Sequence, residues 1–480
     1  MTAQTILPAN TLSSGFNVDN SCRFNPPDAP YFAKDPTGDG NQRTFTISVW
    51  LKMDIHASGA SHFVFDTGTS SNYFKIYFTA EPYLQIVGRV SNSNVLQLIT
   101  NQSFRDPTAW FHLYVAVDTT QGTAANRAKI YINGSQVTAL ATATYPDQNT
   151  DFENQDAGEP FEIGTDNGHA SDSHFDGYMA EYMYVDGAVQ AISDFGEFDE
   201  DSPTVWKPKD ISGIDVNPGD DNGNGFYLDF KDSSNLGNDV GVNAGTDFAE
   251  NNIVALDQST DVPTNNFSIL NPLIYITSAG MTLSEGNLKV VTSADAHRNA
   301  YGTMGVSSGK WYWEINVVDT TGDHQKIGVV NEDNAEINKT SPSEFSGDAN
   351  GYAYRTDGQK ENNDSASSYG NSYTDDDIIG VAMDLDNNKL YFSKNGTFQN
   401  SGDPTTGSTG TGSAFNLAAN KTYFAAINQY GGNTSSFNFG SPPYAISSGN
   451  ADGNGFGNFE YAPPSGYLAL CTKNLGSDGG

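Results

Sequence analysis

Cysteine and basic residues are what this 480-residue sequence has least of. Its two cysteines, Cys22 and Cys471, stand at opposite ends of the chain. That separation excludes a disulfide framework and the paired spacing of a zinc knuckle, and leaves two small, buried, inert thiols as the expectation. Lysine and arginine number 23 against 58 acidic residues, a formal net charge of −35. Every phosphate contact needs a cation to displace a counterion, so nucleic acid is excluded as a partner. The acids are spread out rather than blocked, which keeps a surface soluble and self-repelling. No apolar run reaches the length of a membrane-spanning helix, so no membrane insertion is expected. The first residues lack the basic n-region and apolar core of a secretory signal, which predicts synthesis in a cytoplasm. Heptads and collagen-like triplets are missing, which excludes a fibre shaft. Also missing are a Ser/His/Asp arrangement, a phosphate-cradling glycine loop after a strand and a Cys/His nucleophile pair, so no enzyme is expected.

What is present is turn chemistry and aromatic rings. Forty-nine glycines, 20 prolines and abundant Asn and Asp punctuate short apolar runs, and 12% of residues are aromatic, a balance that favours strands over helices. The hairpin around residues 375–396 is the clearest case. Ile378, Ile379, Val381 and Met383 are apolar on nearly every position, as in a strand covered on both faces. Leu390 and Phe392 alternate with Tyr391 and Ser393, and Asn395-Gly396 suits a type I′ turn. In the first half, strands are predicted at residues 44–52, 63–66, 74–78, 83–87, 95–99, 110–118, 129–133, 161–164 and 175–186, with Asn133-Gly134 as a second I′ signal. The fold class is therefore all-β, as two antiparallel β-sandwich (jelly-roll) domains in tandem. The expected boundaries are 1–250, a packed linker at 251–273 carrying Phe267, Ile269 and Leu270, and 274–480.

The order of motifs carries two resemblances. Gly309-Lys310-Trp311-Tyr312-Trp313-Glu314-Ile315, Gln325-Lys326-Ile327-Gly328-Val329, the hairpin, and Tyr423-Phe424-Ala425-Ala426 with Phe437-Asn438-Phe439-Gly440 resemble the SPRY domains, β-sandwiches used for recognition. The runs FTISVWLK, WFHLYVAVD, KIYINGSQV and FDGYMAEYMYVDGAV resemble the laminin-G-like members of the concanavalin A-like sandwiches, over roughly residues 40–195. This second resemblance implies a jelly roll binding sugars or proteins on a concave face or rim. The whole chain is also similar to a recurring type of large-virus and bacteriophage protein. Residues 196–201, 205–208, 225–230, 236–239 and 263–273, with 461–470, carry that likeness. It implies a non-enzymatic virion protein, a fibre tip, head fibre or capsid decoration. The implied partners are other virion proteins and host-surface glycan, and fibre tips by analogy imply a homo-oligomer, a trimer.

Candidate sites are few. Tyr352, Tyr354, Tyr369, Tyr373 and Tyr430 lie in or beside Gly/Asn/Ser-rich stretches, where rings can stack on the C–H faces of sugars. Asp220, Asn222 and Asn224 match the opening of a Ca²⁺ loop, but Lys231 stands where its twelfth-position Glu belongs, so an EF-hand is excluded and a non-helical oxygen cage is left as the Ca²⁺ candidate. Asn450, Asp452 and Asn454 repeat the pattern. His169 and His174 among Asp166, Asp172 and Asp176 fit no defined metal spacing and read as a polar loop. Glu197, Asp199 and Asp201 alternate as in glucanases built on the same sandwich, which gives a glycan depolymerase as the alternative function. Pro203 and the single supporting apolar residue favour a solvated acidic loop there.

Overall fold

The structure is a computed structural model that describes residues 15–478, apart from 37, 55–59, 153–157, 159, 167, 169–172, 220–222, 275–279, 294, 322–323, 338 and 340–342. The described residues form two compact units that divide between Thr264 and Asn265. The segment 251–273, expected as one packed linker, is thus shared out. Gln258–Ser259 pairs with Ser21–Phe24 in the first unit, while Ile269 and Leu270 lie in the core of the second. No helix among the described residues is long and apolar enough to cross a membrane.

The first unit is two eight-stranded sheets face to face, antiparallel in every pairing of its strands. One sheet runs Ser135–Gln136, Ala128–Ile132, Phe111–Asp118, Thr44–Met53, Gly177–Asp186, Ser21–Phe24, Gln258–Ser259, with Phe226–Leu228 also on Gly177–Asp186. The other runs Leu140–Thr144, Ser93–Ser103, Tyr83–Val90, Tyr73–Phe78, His62–Gly68, Phe161–Ile163, Tyr31–Lys34, Ala249–Asn251. Alternation decides what goes inside. Phe45, Ile47, Val49 and Leu51 meet Phe74, Ile76 and Phe78 in one core, because successive side chains of a strand point to opposite faces. The strands expected at 44–52, 110–118 and 175–186 are present as Thr44–Met53, Phe111–Asp118 and Gly177–Asp186. The weakly patterned Tyr31–Lys34 and Leu140–Thr144 had no signal strong enough to announce them.

Part of the stretch 188–264 lies over the outer face of the first sheet, where Tyr114, Met183 and Val185 pack on Phe195, Ile211, Val216 and Tyr227, while its segments Phe226–Leu228, Ala249–Asn251 and Gln258–Ser259 join the two sheets as strands. Trp206 stacks on His112, which stacks on Trp50. The Trp206 indole donates to His112 Nδ1 at 3.1 Å, and burial pushes the imidazole down to about 3, so it stays neutral. Two glycines let the indole in: a Cβ at Gly134 or Gly196 would lie 2.3 or 2.5 Å from it.

The second unit pairs a nine-stranded with a six-stranded sheet. Lys310–Asp319, Ile378–Asp384 and Lys389–Lys394 lie side by side at the centre of the larger one. Trp311, Trp313, Ile315, Val381 and Phe392 face the core. Tyr312, Ala382 and Tyr391 face outward under Phe459, Tyr467 and Cys471, so the central strand is covered on both faces, as its unbroken apolar run predicts. Asn395 and Gly396 have φ of 48° and 76°, the two positive values of a type I′ turn. Asn133 and Gly134 repeat this at 47° and 73°. Cys22 and Cys471 are both free and buried, and burial pushes the Cys471 thiol up to about 12.

Candidate functional site

The smaller sheet of the second unit turns Tyr301, Val330, Ala353 and Ala426 outward, and Ile337 and Phe345, from the described residues of the loop 332–347, cover them. The loop is fastened by its polar groups. Asn334 donates to the Phe345 carbonyl at 2.9 Å, Asn299 to the Ser343 carbonyl at 2.8 Å, and the Ser343 N–H donates to Glu336 at 2.7 Å. Its cover is incomplete. A cavity of about 420 Å³ opens between loop and sheet, lined by His297, Glu336, Ser343, Glu344, Gly347 and Asp364.

Joined to this cavity through its lining residue Glu344 is a buried charge ladder. Lys326, on the strand Lys326–Asn331, donates to Glu361 at 2.6 Å and also to Glu344. Ser346 donates to the same Glu361 oxygen at 2.7 Å, and Arg355 to the other at 2.6 Å. Burial alone would raise the Glu361 carboxyl, but the bonds from Lys326 and Ser346 outweigh it and hold the group below its usual range. At the rim His297 bonds Asn428 through Nδ1 at 3.0 Å and faces Glu344 through Nε2 at 3.4 Å. Its ring meets Tyr430 and His324 at centroid distances of 5.1 and 6.4 Å, and Tyr430 and His324 are 5.9 Å apart. The site is therefore an acceptor-rich polar cavity lined by the His297 ring, which Tyr430 and His324 meet.

Carboxylate oxygens of Glu344, Glu361 and Asp364 lie within 4.8 Å of one another, close enough to share a metal ion. The Lys326 ammonium already bonds two of the three, so a cation stands in that place as part of the fold. The set fits a lysine better than a divalent ion.

Of the five tyrosines expected at a ligand surface, Tyr430 meets this site through the His297 ring. The other four are core, which corrects the expectation. Tyr352 and Tyr354 alternate with Ala353 on one strand, and that period turns both rings inward. Tyr354 stacks on Phe392 at 5.3 Å, and Tyr373 donates to the carbonyls of Gln325 and Tyr354 at 3.1 and 3.2 Å. Tyr369 accepts from the Phe392 N–H at 3.3 Å. Polar neighbours in sequence disguised them, because the surrounding Gly, Asn and Ser belong to hairpin turns.

Of the Ca²⁺ candidates, Asp220 and Asn222 lie outside the described residues, and Asn224 is buried, its side chain donating to the Gly38 carbonyl at 3.2 Å. Asp452 in the second Asx repeat accepts from the N–H groups of Asn454, Phe456 and Ala469 and from the Asn474 amide, each within 2.9 Å. It is a knot in the covering segment. His169 and Asp172 also lie outside the described residues. Glu197 pairs with Lys207 and Lys209 at 3.5 and 3.4 Å. Asp199 is buried, accepts from the N–H groups of Asp201 and Ser202, and faces Lys207 at 3.4 Å. It caps a turn.

Sequence reading missed a second polar group. Glu162 stands directly opposite Asp66 across two strands of the first unit, and Lys75 pairs with Asp66 at 2.8 Å. Beside them Phe63 stacks on Tyr77 at 4.8 Å, and Lys75 lies over the Phe63 and Tyr73 rings. The alternation of Tyr73, Lys75 and Tyr77 against Phe74, Ile76 and Phe78 was the available signal.

Residues 30–192 match the family model described as the concanavalin A-like lectin/glucanases superfamily, and residues 310–442 match that of the SPRY domain. The chain carries these two domains in tandem, and domains of both kinds commonly mediate binding. No curated protein matches the chain. Similar solved structures include the SPRY domain of human HERC1, at 16% identity over 35% of this chain and 96% of that one, with a TM-score of 0.27. The native heptameric SAP-like pentraxin from Limulus polyphemus is 16% identical over 37% and 82%, with a TM-score of 0.28. Stonustoxin is 19% identical over 36% of this chain and 27% of that one, with a TM-score of 0.27.

Proposed function

We propose that this chain is a non-enzymatic binding protein of a bacteriophage particle, exposed on a fibre tip, head fibre or capsid surface, and that it takes host-surface glycan in the cavity of its second sandwich. The observation that carries the glycan is the pairing of acceptors with rings. Glu336, Glu344 and Asp364 line the cavity and can accept from sugar hydroxyls, while Tyr430 against His297 offers a face for sugar C–H groups. The virion reading is supported by the run of motifs over nearly the whole sequence and by the acidic surface. A homo-oligomer, a trimer as in fibre tips, goes with it.

Labelling intact particles with an antibody to the second sandwich, followed by imaging, tests the location. Signal at fibre tips or over the head supports the reading; particles without signal sink it. Glycan binding is tested by calorimetry with host-surface polysaccharide. Tyr430→Ala and Asp364→Ala are each expected to weaken binding about tenfold, the loss of one good stacking or charged contact. Unchanged affinity in both variants removes the cavity from the reading, and capture of a virion protein in place of polysaccharide points to the neighbouring-protein alternative.

A glycan depolymerase is the second reading, favoured by Asp66 facing Glu162 on the first sandwich. It requires release of reducing ends from polysaccharide, abolished in Glu162→Gln. Wild-type protein that releases none ends it.

A further inference from the structure

The strand Gly177–Asp186 changes neighbour partway along. Its first residues, Gly177, Tyr178 and Met179, pair with Ser21–Phe24, and from Tyr182 to Tyr184 it pairs with Phe226–Leu228 of the covering segment. Between the two stretches lies a bulge. Ala180 faces Trp50 and Met183 faces Ser48, so Glu181 and Tyr182 share the place of one residue. Glu181 has φ of 50°, a left-handed conformation that side chains other than Gly, Asn and Asp seldom adopt. Phe230, two residues past the partner strand, has φ of 55°. Both sides of the joint are therefore under backbone strain.

The Glu181 side chain holds the joint. Glu181 is 2% exposed, yet it is an acid. Tyr227 donates to its Oε2 at 2.6 Å, and its Oε1 has no hydrogen-bond partner. The charged groups facing it are Asp229 and Lys231 just beyond the partner strand and Asp19 ahead of Ser21–Phe24. Lys231 is engaged with Asp19 at 3.3 Å and Asp229 at 3.9 Å. A buried glutamate of the other sandwich is provided for differently: Glu314 accepts from Tyr312, Asn438 and the N–H groups of Glu460 and Tyr461. An ionised Glu181 would have one donor and an orphaned oxygen in a dry site.

We propose that the joint between Gly177–Asp186 and the 226–231 segment is a pH-sensitive latch with Glu181 as its titrating group. Neutral Glu181 holds the segment seated; ionised Glu181 releases it toward solvent and toward Lys231. Burial pushes the Glu181 carboxyl from its ordinary 4.5 up to about 7, against the bond from Tyr227. A folded value above the unfolded one means that the stabilisation is present in full below the unfolded value and is lost as the pH rises through about 7. The latch is closed in mild acid and has loosened by the time the pH has risen through neutrality.

Hydrogen exchange on the full chain tests this. Amides at 182–184 and 226–231 are expected to lose roughly fiftyfold in protection between pH 5 and pH 8, beyond the intrinsic chemical rate. Amides of Thr44–Met53, on the far side of the bulge, serve as the internal reference. Glu181→Gln is expected to flatten the dependence and keep the segment protected at both pH values. The wild-type protein needs no variant to overturn the proposal: no extra pH dependence at 226–231 ends it. The same dependence persisting in Glu181→Gln ends it too. Should Glu181→Gln fail to fold, Tyr227→Phe is expected to lower protection of 226–231 at both pH values and leave the reference unchanged; unaltered protection there overturns the latch.

Discussion

Lys52 in the first sandwich and Lys326 in the second are both buried on the outer face of a sheet, and the two are used in opposite ways. Lys52 of the first unit donates to Asp261 at 2.6 Å, with the Trp110 indole donating to the other Asp261 oxygen at 2.8 Å. The acid comes from the covering segment, and the pair shuts that face. Lys326 of the second unit meets Glu361 and Glu344, and Glu344 also lines the cavity. One lysine closes a cover and the other holds an acid that lines a site. The difference lies in what the cover brings. Residues 188–264 deliver Phe195, Ile211, Val216 and Trp206 onto their sheet, whereas the described residues of 332–347 deliver Ile337 and Phe345, flanked by the acids Glu336 and Glu344. Apolar cover packs to density; polar cover leaves room.

The largest effect is expected at the closed pair. Lys52→Met strands the Asp261 carboxylate in a site that is about as dry as the core, its exposure being 1%. Breaking a buried pair from one side costs about 3–5 kcal/mol. Chemical unfolding followed through the first unit's Trp50 and Trp110 would measure it. A loss below about 1 kcal/mol would mean that water reaches the pair and that the face is not shut.

A smaller loss is expected from Lys326→Met, about 2–3 kcal/mol, because Glu344 is partly exposed and Arg355 still holds Glu361. The change should carry a second sign. With the ammonium gone, Glu344, Glu361 and Asp364 keep their three oxygens within reach of one ion, so millimolar Ca²⁺ should restore melting temperature in the variant and leave the wild type unmoved. Equal response of the two proteins would show that Lys326 is not the cation of this site.

How much of this was legible follows the same division. Alternation and turn dipeptides announced the hairpins at Asn133-Gly134 and Asn395-Gly396, since an I′ turn needs residues that accept positive φ. They also announced Thr44–Met53 and Gly177–Asp186. The covering role of residues 188–264 was not legible, because Phe195, Trp206, Val216 and Tyr227 are spaced by turns and share a surface only once the sheet beneath them exists. The site was hidden for a related reason. His297, Glu336, Glu344, Glu361 and Asp364 are spread over 68 positions of the sequence and meet through sheet register. Tyr430 was legible, but the same polar context that marked it also marked Tyr352, Tyr354, Tyr369 and Tyr373. Flanking composition does not tell inward from outward; the parity of a strand does.

The finest separation of cover from site is at Gly347. A Cβ there would lie 2.9 Å from Asp364 Oδ1 and 3.6 Å from its Cγ. The atom it meets is the end of an exposed side chain, which can swing aside, so Gly347→Ala should change stability by less than about 0.5 kcal/mol. The swing moves an acceptor out of the cavity wall, so affinity for polysaccharide should fall severalfold with no change in melting temperature. Gly88→Ala in the first unit is the contrasting case. Its Cβ would lie 2.3 Å from the ring of Phe152, which is fully buried in the core, and overpacking of that kind costs about 1–3 kcal/mol. Binding lost without stability at Gly347, and stability lost without binding at Gly88, would divide the molecule into a site carried by one sandwich and packing carried by the other. Equal binding losses in the two variants would mean that the first sandwich takes part in recognition.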